Sequence, residues 1–407
     1  MSDDDPHGDG GTAVDRSAAS EEEGNLIDRL AGHRHRERVV ALAAILGVLL
    51  FPFFLIDVLG ALEGIVGVSL GGYIGLPTLV LVFGIVVIGY NILLGYTGLL
   101  SFGHAALFGT AAYAAALFSS NVVASPLLSV FVGAAAATLL AWPIGFLSIR
   151  RSGVYFAVLT LTFGQMLYYY AFGPGAWLTG GDNGYTPFQH VTQVSLLGSV
   201  PIDTPLPFLT LTRGSHPTLL YLLTATFAVL AVVVAHRIIK SPYGLIFRAL
   251  GQNERRTQFV GLNVFRYKLM AFVISGVFAG VGGGLYALYK SGLTIHPNGT
   301  LYWIVSGDFV IMTAVGGVGS LVGPVFGAAL FEYIRLVLSG ITLFGAEIGS
   351  KWRLLLGLAF VLTVWFFPDG IYGVFGAIGR RIVDRFGDGR SGAETGGTAA
   401  EDAGGDD

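Results

Sequence analysis

The sequence predicts an all-α, polytopic membrane protein with about ten transmembrane helices. Three observations carry that reading. Hydrophobic residues make up 53% of the 407-residue chain and charged residues only 12%, about half the charged share of a globular protein. The mean hydropathy is +0.70. Apolar runs of spanning length recur along the chain, whereas the charges gather at its two ends and in a few loops. A soluble fold of this size would not cover its surface with so few charges. Cysteine is absent, which excludes disulfides, Cys-ligated zinc and iron–sulfur clusters.

The chain opens with an acidic tail. Residues 1–38 hold ten acids and five arginines, and residues 380–407 hold seven acids and four arginines. Both tails are rich in Gly, Asp, Glu, Ser, Ala and Thr, and their composition predicts disorder. The 341 residues from 39 to 379 form the transmembrane domain, with nine acids and fourteen bases. Lysine occurs four times against nineteen arginines. Acid-rich, lysine-poor solvent-facing segments fit the cytoplasm of a halophilic prokaryote, and a GC-rich genome is the alternative source of that bias. The start, MSDDD, lacks the basic n-region of a signal peptide, so the first apolar segment is expected to be a retained helix.

Spanning segments need roughly 17–25 apolar residues. Ten candidates lie near 39–56, 74–94, 99–118, 126–148, 153–172, 217–236, 268–288, 302–316, 320–338 and 352–368. The eighth is short enough for a re-entrant half-helix. The Gly-rich stretch 57–73 reads as an interfacial turn. Arg29, Arg34, Arg36 and Arg38 precede the first segment, Arg150 and Arg151 follow the fourth, seven bases crowd the connection after the sixth, and Arg380, Arg381, Arg385 and Arg390 follow the last. With ten spans all four clusters share one side. With nine, 302–338 being one span, the last cluster would lie outside. The bias of Lys and Arg toward the cytoplasm favours the even count, both termini cytoplasmic, and the 44-residue connection 173–216 outside.

Small residues recur at helix-packing spacing in Gly276, Gly280, Gly284 and in Gly319, Gly323, Gly327. Ordinary packing within the bundle is the plainer reading, and a subunit or moving interface the sharper one. A weak echo links Gly95–Gly103 (GYTGLLSFG) with Gly316–Gly323 (GGVGSLVG), as an internal repeat would or as glycine richness alone would.

No nucleotide-binding GxxxxGK[ST], GxSxG, HExxH or EF-hand pattern occurs, and no metal-ligand set is expected. His104 alone among eight histidines lies in an apolar stretch. Intramembrane charges are functional candidates by default: Asp308 in the eighth segment, and Glu332 with Arg335 in the ninth, three residues apart and able to pair on one helix face. No chain of buried acids suggests a proton relay, which counts against a stand-alone secondary transporter, although neutral groups can still coordinate sodium. The connection Ile238–Tyr267 is dense in Arg yet holds Leu245, Ile246, Phe247, Leu250, Phe259 and Val260. That mixture suits a short amphipathic helix docked on a partner, or one lying on anionic lipid.

Four blocks then resemble the LivM-type permease subunit of branched-chain amino-acid ABC importers. They are Gly89–Gly109 (GYNILLGYTGLLSFGHAALFG), Arg151–Gln165 (RSGVYFAVLTLTFGQ) with Thr179–Gly184 (TGGDNG), Ser241–Glu254 (SPYGLIFRALGQNE) with Gly261–Phe272 (GLNVFRYKLMAF), and Gly316–Ala328 (GGVGSLVGPVFGA). Their order and spacing cover about residues 75–373. The resemblance implies a non-enzymatic subunit with no bound cofactor, ATP and Mg²⁺ belonging to partner ATPases. It implies a homologous second permease, two cytosolic ATPases and an external solute-binding protein as partners. It makes the loop 238–267 the ATPase-coupling element, with Arg248, Asn253, Glu254 and Gly261 matching the family pattern. Gly261 would supply the turn after a short helix. The chain departs from the family at Arg256–Val260, Leu99, Ala111 and Asp369, which bears on the docking surface and the substrate.

A zwitterion crossing a bilayer needs polar partners at both ends. The family blocks offer Asn91, Ser101, His104, Tyr155, Thr160, Thr162 and Gln165 among Gly and Ala as candidates for the path, or as groups that satisfy one another between helices. The expected cargo is a branched-chain amino acid, with urea, amides or another small polar solute as the alternative.

Overall fold

The computed structural model describes residues 75–123, 125–151, 153–186, 219–290, 293–340, 342–343, 346–347, 353–354, 357–358 and 360–361. The tails, the segment 39–56, the stretch 57–73, most of 352–368 and most of the connection 173–216 lie outside these residues. Apart from residues 74 and 217–218, the eight middle candidates fall within them, and each carries a helix.

Helix α1 is Leu76–Asn91, extended by a π-turn over Ile92–Tyr96; α2 is His104–Asn121; α3 is Pro126–Ser148; α4 is Val154–Phe172. A single turn, α5 (Ala176–Thr179), follows. Then come α6 (Leu219–Lys240), α7 (Pro242–Gln252), α8 (Glu254–Phe259) and α9 (Val264–Tyr289). The turn α10 (Pro297–Thr300) leads into α11 (Trp303–Gly316), and α12 is Gly323–Gly340. Five of these stretches are long and apolar enough to cross a membrane: Leu76–Tyr96, Pro126–Ser148, Leu219–Lys240, Val264–Tyr289 and Pro297–Gly316. Taken alone, α11 has 14 residues, about 21 Å at 1.5 Å per residue, so it needs α10 to approach the ~30 Å hydrocarbon core. A two-residue antiparallel pair, Thr342–Leu343 with Ala346–Glu347, is an exception to the all-helical expectation and is too short to stand as a sheet by itself.

Helices α1 and α9 form the centre. Every residue of α1 from Leu76 to Asn91 is buried, as its unbroken apolar sequence requires. Helix α9 packs on α1, α2 and α3, and α1 packs in addition on α6, α11 and α12. Lipid tails give no hydrophobic drive for helix association, so backbones must approach closely to gain dispersion contact. The glycine stripe of α9 does this. A Cβ on Gly276 would sit 2.7 Å from the Cβ of Ala141, and one on Gly280 would sit 2.8 Å from the Cα of Ala134. The run Gly282–Gly284 faces three helices in turn. Their added Cβ atoms would strike Val86 of α1, the Phe108 carbonyl of α2, and Val130 of α3. Successive helical residues point about 100° apart, so three adjacent glycines let one helix meet three neighbours. This stripe is packing within the subunit. In the second stripe Gly323 and Gly327 lie against Gly316 between α12 and α11, but Gly319 belongs to the preceding turn, with φ +80°.

The segment expected at 99–118 starts later. Residues 97–103 form an irregular break, with Gly98 at φ +71°, and helix resumes at His104. A second break, 317–322, separates α11 from α12, with Gly317 at φ +115°. On the far side of the bundle Thr179–Gly184 forms a tight turn with φ positive at Gly180, Gly181 and Gly184. Tyr185 pairs with Ile295 in an antiparallel bridge, which pins that turn beside the end of α9.

Adding one methyl group in Gly283→Ala should lower the thermal midpoint of the solubilised protein, because the Phe108 carbonyl leaves no room for it and overpacking costs about 1–3 kcal/mol. Gly307→Ala, where a Cβ meets nothing within 4 Å, should leave the midpoint unchanged or raise it. Equal midpoints for the two variants would refute the close-approach account.

Candidate functional site

Four of the polar residues expected along a path converge on the breaks. Asn91, the last residue of α1, uses both ends of its amide. Its Nδ2 donates to the Ser320 carbonyl at 2.6 Å, and the Gly319 amide donates to its Oδ1 at 2.9 Å. The π-turn brings Gly95 against the same loop, where a Cβ would lie 2.9 Å from the Gly319 Cα. The two segments whose sequences echo each other are therefore in contact.

Around the first break the chain satisfies its own backbone. Tyr90 donates its hydroxyl to the Ser101 carbonyl at 2.8 Å, and the Phe102 amide donates to Thr160 Oγ1 at 3.2 Å. The Ala105 amide, an orphan donor in the first turn of α2, donates to Ser306 Oγ at 2.8 Å. His104 is fully buried, with Nδ1 3.0 Å from Ser101 Oγ and Nε2 2.7 Å from Ser275 Oγ. A neutral imidazole offers one donor and one acceptor, and two serine hydroxyls complement either tautomer. The ring stands edge-on to Tyr90, with centroids 4.7 Å apart. Ser101, His104 and Thr160 thus hold the first break, and Asn91 holds the second. Tyr155 and Thr162 take part in neither. They lie on the exposed face of α4, where Thr162 bonds its own helix at Val158. Gln165 has a buried Oε1 without a hydrogen-bond partner.

The basic connection folds as two short helices. Helix α7 buries Gly244, Phe247 and Leu250 at helical spacing and exposes Tyr243, Leu245 and Arg248, the amphipathic division its sequence predicts. It rests on the first break. A Cβ on Gly251 would lie 2.6 Å from the Tyr96 carbonyl, and the Arg248 guanidinium carbon stands 5.3 Å from the Tyr96 ring centre. Asn253 caps α8 by accepting from the Arg256 amide at 3.1 Å. Glu254 meets buried Lys268 of α9 at 2.6 Å, which ties the start of α8 to the bundle. Gly261 closes α8 with φ +85°, a left-handed turn that strongly favours glycine. At the tip Phe259 and Val260 are 89% and 79% exposed.

The intramembrane charges gather at the other end of the bundle. Glu332 and Arg335 pair at 2.6 Å, as their spacing predicts. Asp308 faces the same cavity, together with Lys290 and Tyr286. Sequence reading singled out neither of these two, nor Ser275 and Ser306, because nothing local marks a residue whose partner lies on another helix. Among the described residues no three His, Asp or Glu side chains group as a metal site would.

The model of one protein family, described as the branched-chain amino acid transport system permease component, matches residues 72–364. The chain is 28% identical over 313 residues to the high-affinity branched-chain amino acid transport system permease protein LivM of Salmonella typhimurium, covering 74% of this chain and 70% of that protein. The same figures hold for LivM of Escherichia coli. It is 30% identical over 135 residues to the nucleoside ABC transporter permease protein NupC of Lactococcus lactis, covering 33% of this chain and 35% of that one. No solved structure matches the chain.

Replacing His104 by Phe would leave Ser101 and Ser275 without their ring partner. Unsatisfied buried hydroxyls cost about 1–3 kcal/mol each, so the thermal midpoint should fall by several degrees. An unchanged midpoint would show that these bonds contribute nothing to the fold.

Proposed function

We propose, for a chain that belongs to the permease-component family of the branched-chain amino acid transport system, that the α7–α8 pair receives the movement of cytosolic ATPases and the exposed face of α4 lines the substrate path. The chain is a multi-pass membrane permease. In this reading it carries no reaction of its own: ATP and Mg²⁺ belong to two ATPase subunits, and a homologous second permease and an external solute-binding protein complete the importer. ATP binding favours one conformation of the paired permeases and hydrolysis resets it, a shift between populations.

The observation that carries the coupling role is the geometry at Phe259 and Val260. Two large apolar side chains project from a helix that is capped by Asn253, tied by Glu254 to Lys268, and turned back at Gly261. A rigid, exposed apolar tip beside Arg255 and Arg256 suits a protein groove, and α7 connects it to the break at Tyr96–Gly98. The α4 face supports the path assignment. Tyr155, Thr162 and Tyr169 are exposed along it, although lipid rewards no polar group there. Asn91, Ser101, His104 and Thr160 contribute through the breaks they hold, the first of which lies against α7. Leucine, isoleucine and valine are the proposed cargo. The resemblance to nucleoside permeases covers a third of the chain, which makes guanosine the natural competitor to test, beside urea and simple amides. The concentration of Arg in α7, α8 and the tails supports ten spans, both termini in the cytoplasm and disordered tails outside a 39–379 membrane domain, and the acidic, lysine-poor tails suit a high-salt cell.

A photo-crosslinking amino acid at Phe259 should capture the ATPase subunit in cells that express the complete importer, and Phe259→Asp should reduce ATP-driven uptake at least tenfold with the permease still inserted. Capture of lipid alone with undiminished uptake would overturn the coupling role. Gln165→Leu should lower maximal uptake of leucine, isoleucine and valine without changing their order of preference or admitting guanosine. Unchanged rates would remove Gln165 from the path. Cysteines placed at Ser17 and Ser391, in a chain with none of its own, should resist an impermeant thiol reagent in intact cells. Labelling of either would refute the even span count or the orientation.

A further inference from the structure

The ends of α1, α9 and α12 remote from α7, with the first half of α11, enclose a cavity of about 430 Å³, within the usual range of small-ligand pockets. Four acidic or basic side chains line it: Lys290 at the end of α9, Asp308 on α11, and Glu332 and Arg335 on α12. Glu332 is 1% exposed; its Oε2 touches Arg335, while its Oε1 has no hydrogen-bond partner. Apolar side chains line it as well: Leu76, Leu79 and Phe83, at i, i+3 and i+7 of α1, and Met312 of α11. Charges at membrane depth are expensive, and a buried pair is often no better than apolar residues of the same volume. Two acids and two bases line the open space, with Arg353 also acting on Asp308 from outside the lining, and charges of both signs point to a ligand that complements both. A simple cation would meet Arg335 and Lys290, and a simple anion would meet Asp308 and Glu332.

We propose that this cavity binds a zwitterionic α-amino acid, with its carboxylate toward Arg335 and Lys290, its ammonium toward Asp308 and Glu332, and its aliphatic side chain against Leu76, Leu79, Phe83 and Met312. The inference rests on the permease reading and adds to it a waypoint inside this chain, separate from the α4 face. Because α7 packs at the Tyr96 end of α1 and the cavity at its Leu76 end, the waypoint lies at the end of the bundle away from the coupling helices.

The test is equilibrium binding of radiolabelled leucine to the full chain in phosphatidylglycerol nanodiscs, which hold no lipid ammonium, in parallel with uptake by the assembled importer. Saturable binding is expected. Valine and isoleucine should compete, whereas leucinamide, which lacks the carboxylate, and isocaproate, which lacks the ammonium, should compete at least tenfold less well. Asp308→Asn and the double variant Glu332→Gln/Arg335→Gln, which removes both charges of the pair together, should each weaken binding tenfold or more. Leu79→Trp fills the space without altering a charge and should do the same, so the test stands even if a charge variant fails to fold. Equal competition by leucinamide and isocaproate, or full binding by Leu79→Trp, would overturn the site. Leucine import by the assembled wild type with no binding to the chain alone would refute the cavity and leave the permease reading intact. Binding without import by the assembled wild type would refute that reading instead.

Discussion

An amide or carbonyl without a partner costs several kcal/mol in hydrocarbon, and among the described residues helical bonding stops at two irregular segments that lie against each other, 97–103 and 317–322. These breaks govern the arrangement around them. Asn91 bridges from the end of α1 to the second break, while Tyr90, Thr160 and Ser306 supply partners to the first. His104 holds Ser101 to Ser275 across α2 and α9. Once these groups are fixed, α1, α2, α9 and α11 have their relative heights fixed too, and the glycine run of α9 meets its three neighbours in register.

The same arrangement separates two environments along α1 and α9. At one end α7 lies on Tyr96–Gly98 and α8 is tied to α9 through Glu254 and Lys268. At the other end Asp308, Glu332, Arg335 and Lys290 surround an open volume. Movement of α7 would bear directly on the first break, and through Asn91 on the second. A chain of packed, hydrogen-bonded elements of this kind can carry coupling if it has two arrangements, and an irregular segment held by side chains is easier to rearrange than a continuous helix.

The helices were legible because apolar runs of sufficient length have few other solutions in a membrane protein. Gly261 was legible through the family resemblance, which implied a turn after a short helix, and the amphipathic character of α7 followed from its mixture of Arg and apolar residues. The first break was legible only in part: Leu99 and Leu100 extend the apolar run, so hydropathy started a helix at 99 through residues that bend, whereas the second falls at the gap between the segments read at 302–316 and 320–338. Gly319 fell on a helix-like spacing with Gly323 and Gly327 but turns the chain instead, with φ +80°. Asn91 was visible as a polar residue in an apolar block, yet its partner lies 229 positions away. Lys268 counted as one more base of the cytoplasmic connection, although it is buried against Glu254. Lys290 drew no notice, since only the fold places it with Asp308 and Glu332.

Hydrogen exchange across the two breaks in the full-length protein is the most direct test of this account. The amides of Ser101, Phe102, Gly103, Ala105 and Gly319, which donate to side chains in and beside the two breaks, should exchange as slowly as those of the adjoining helices. Asn91→Ala should speed exchange in 317–322 and, through the contact of Gly95 with Gly319, in 98–106 as well. Loop-like exchange of Gly319 in the unaltered protein, or no response of 317–322 to Asn91→Ala, would contradict the claim that one amide side chain ties the end of α1 to the second break.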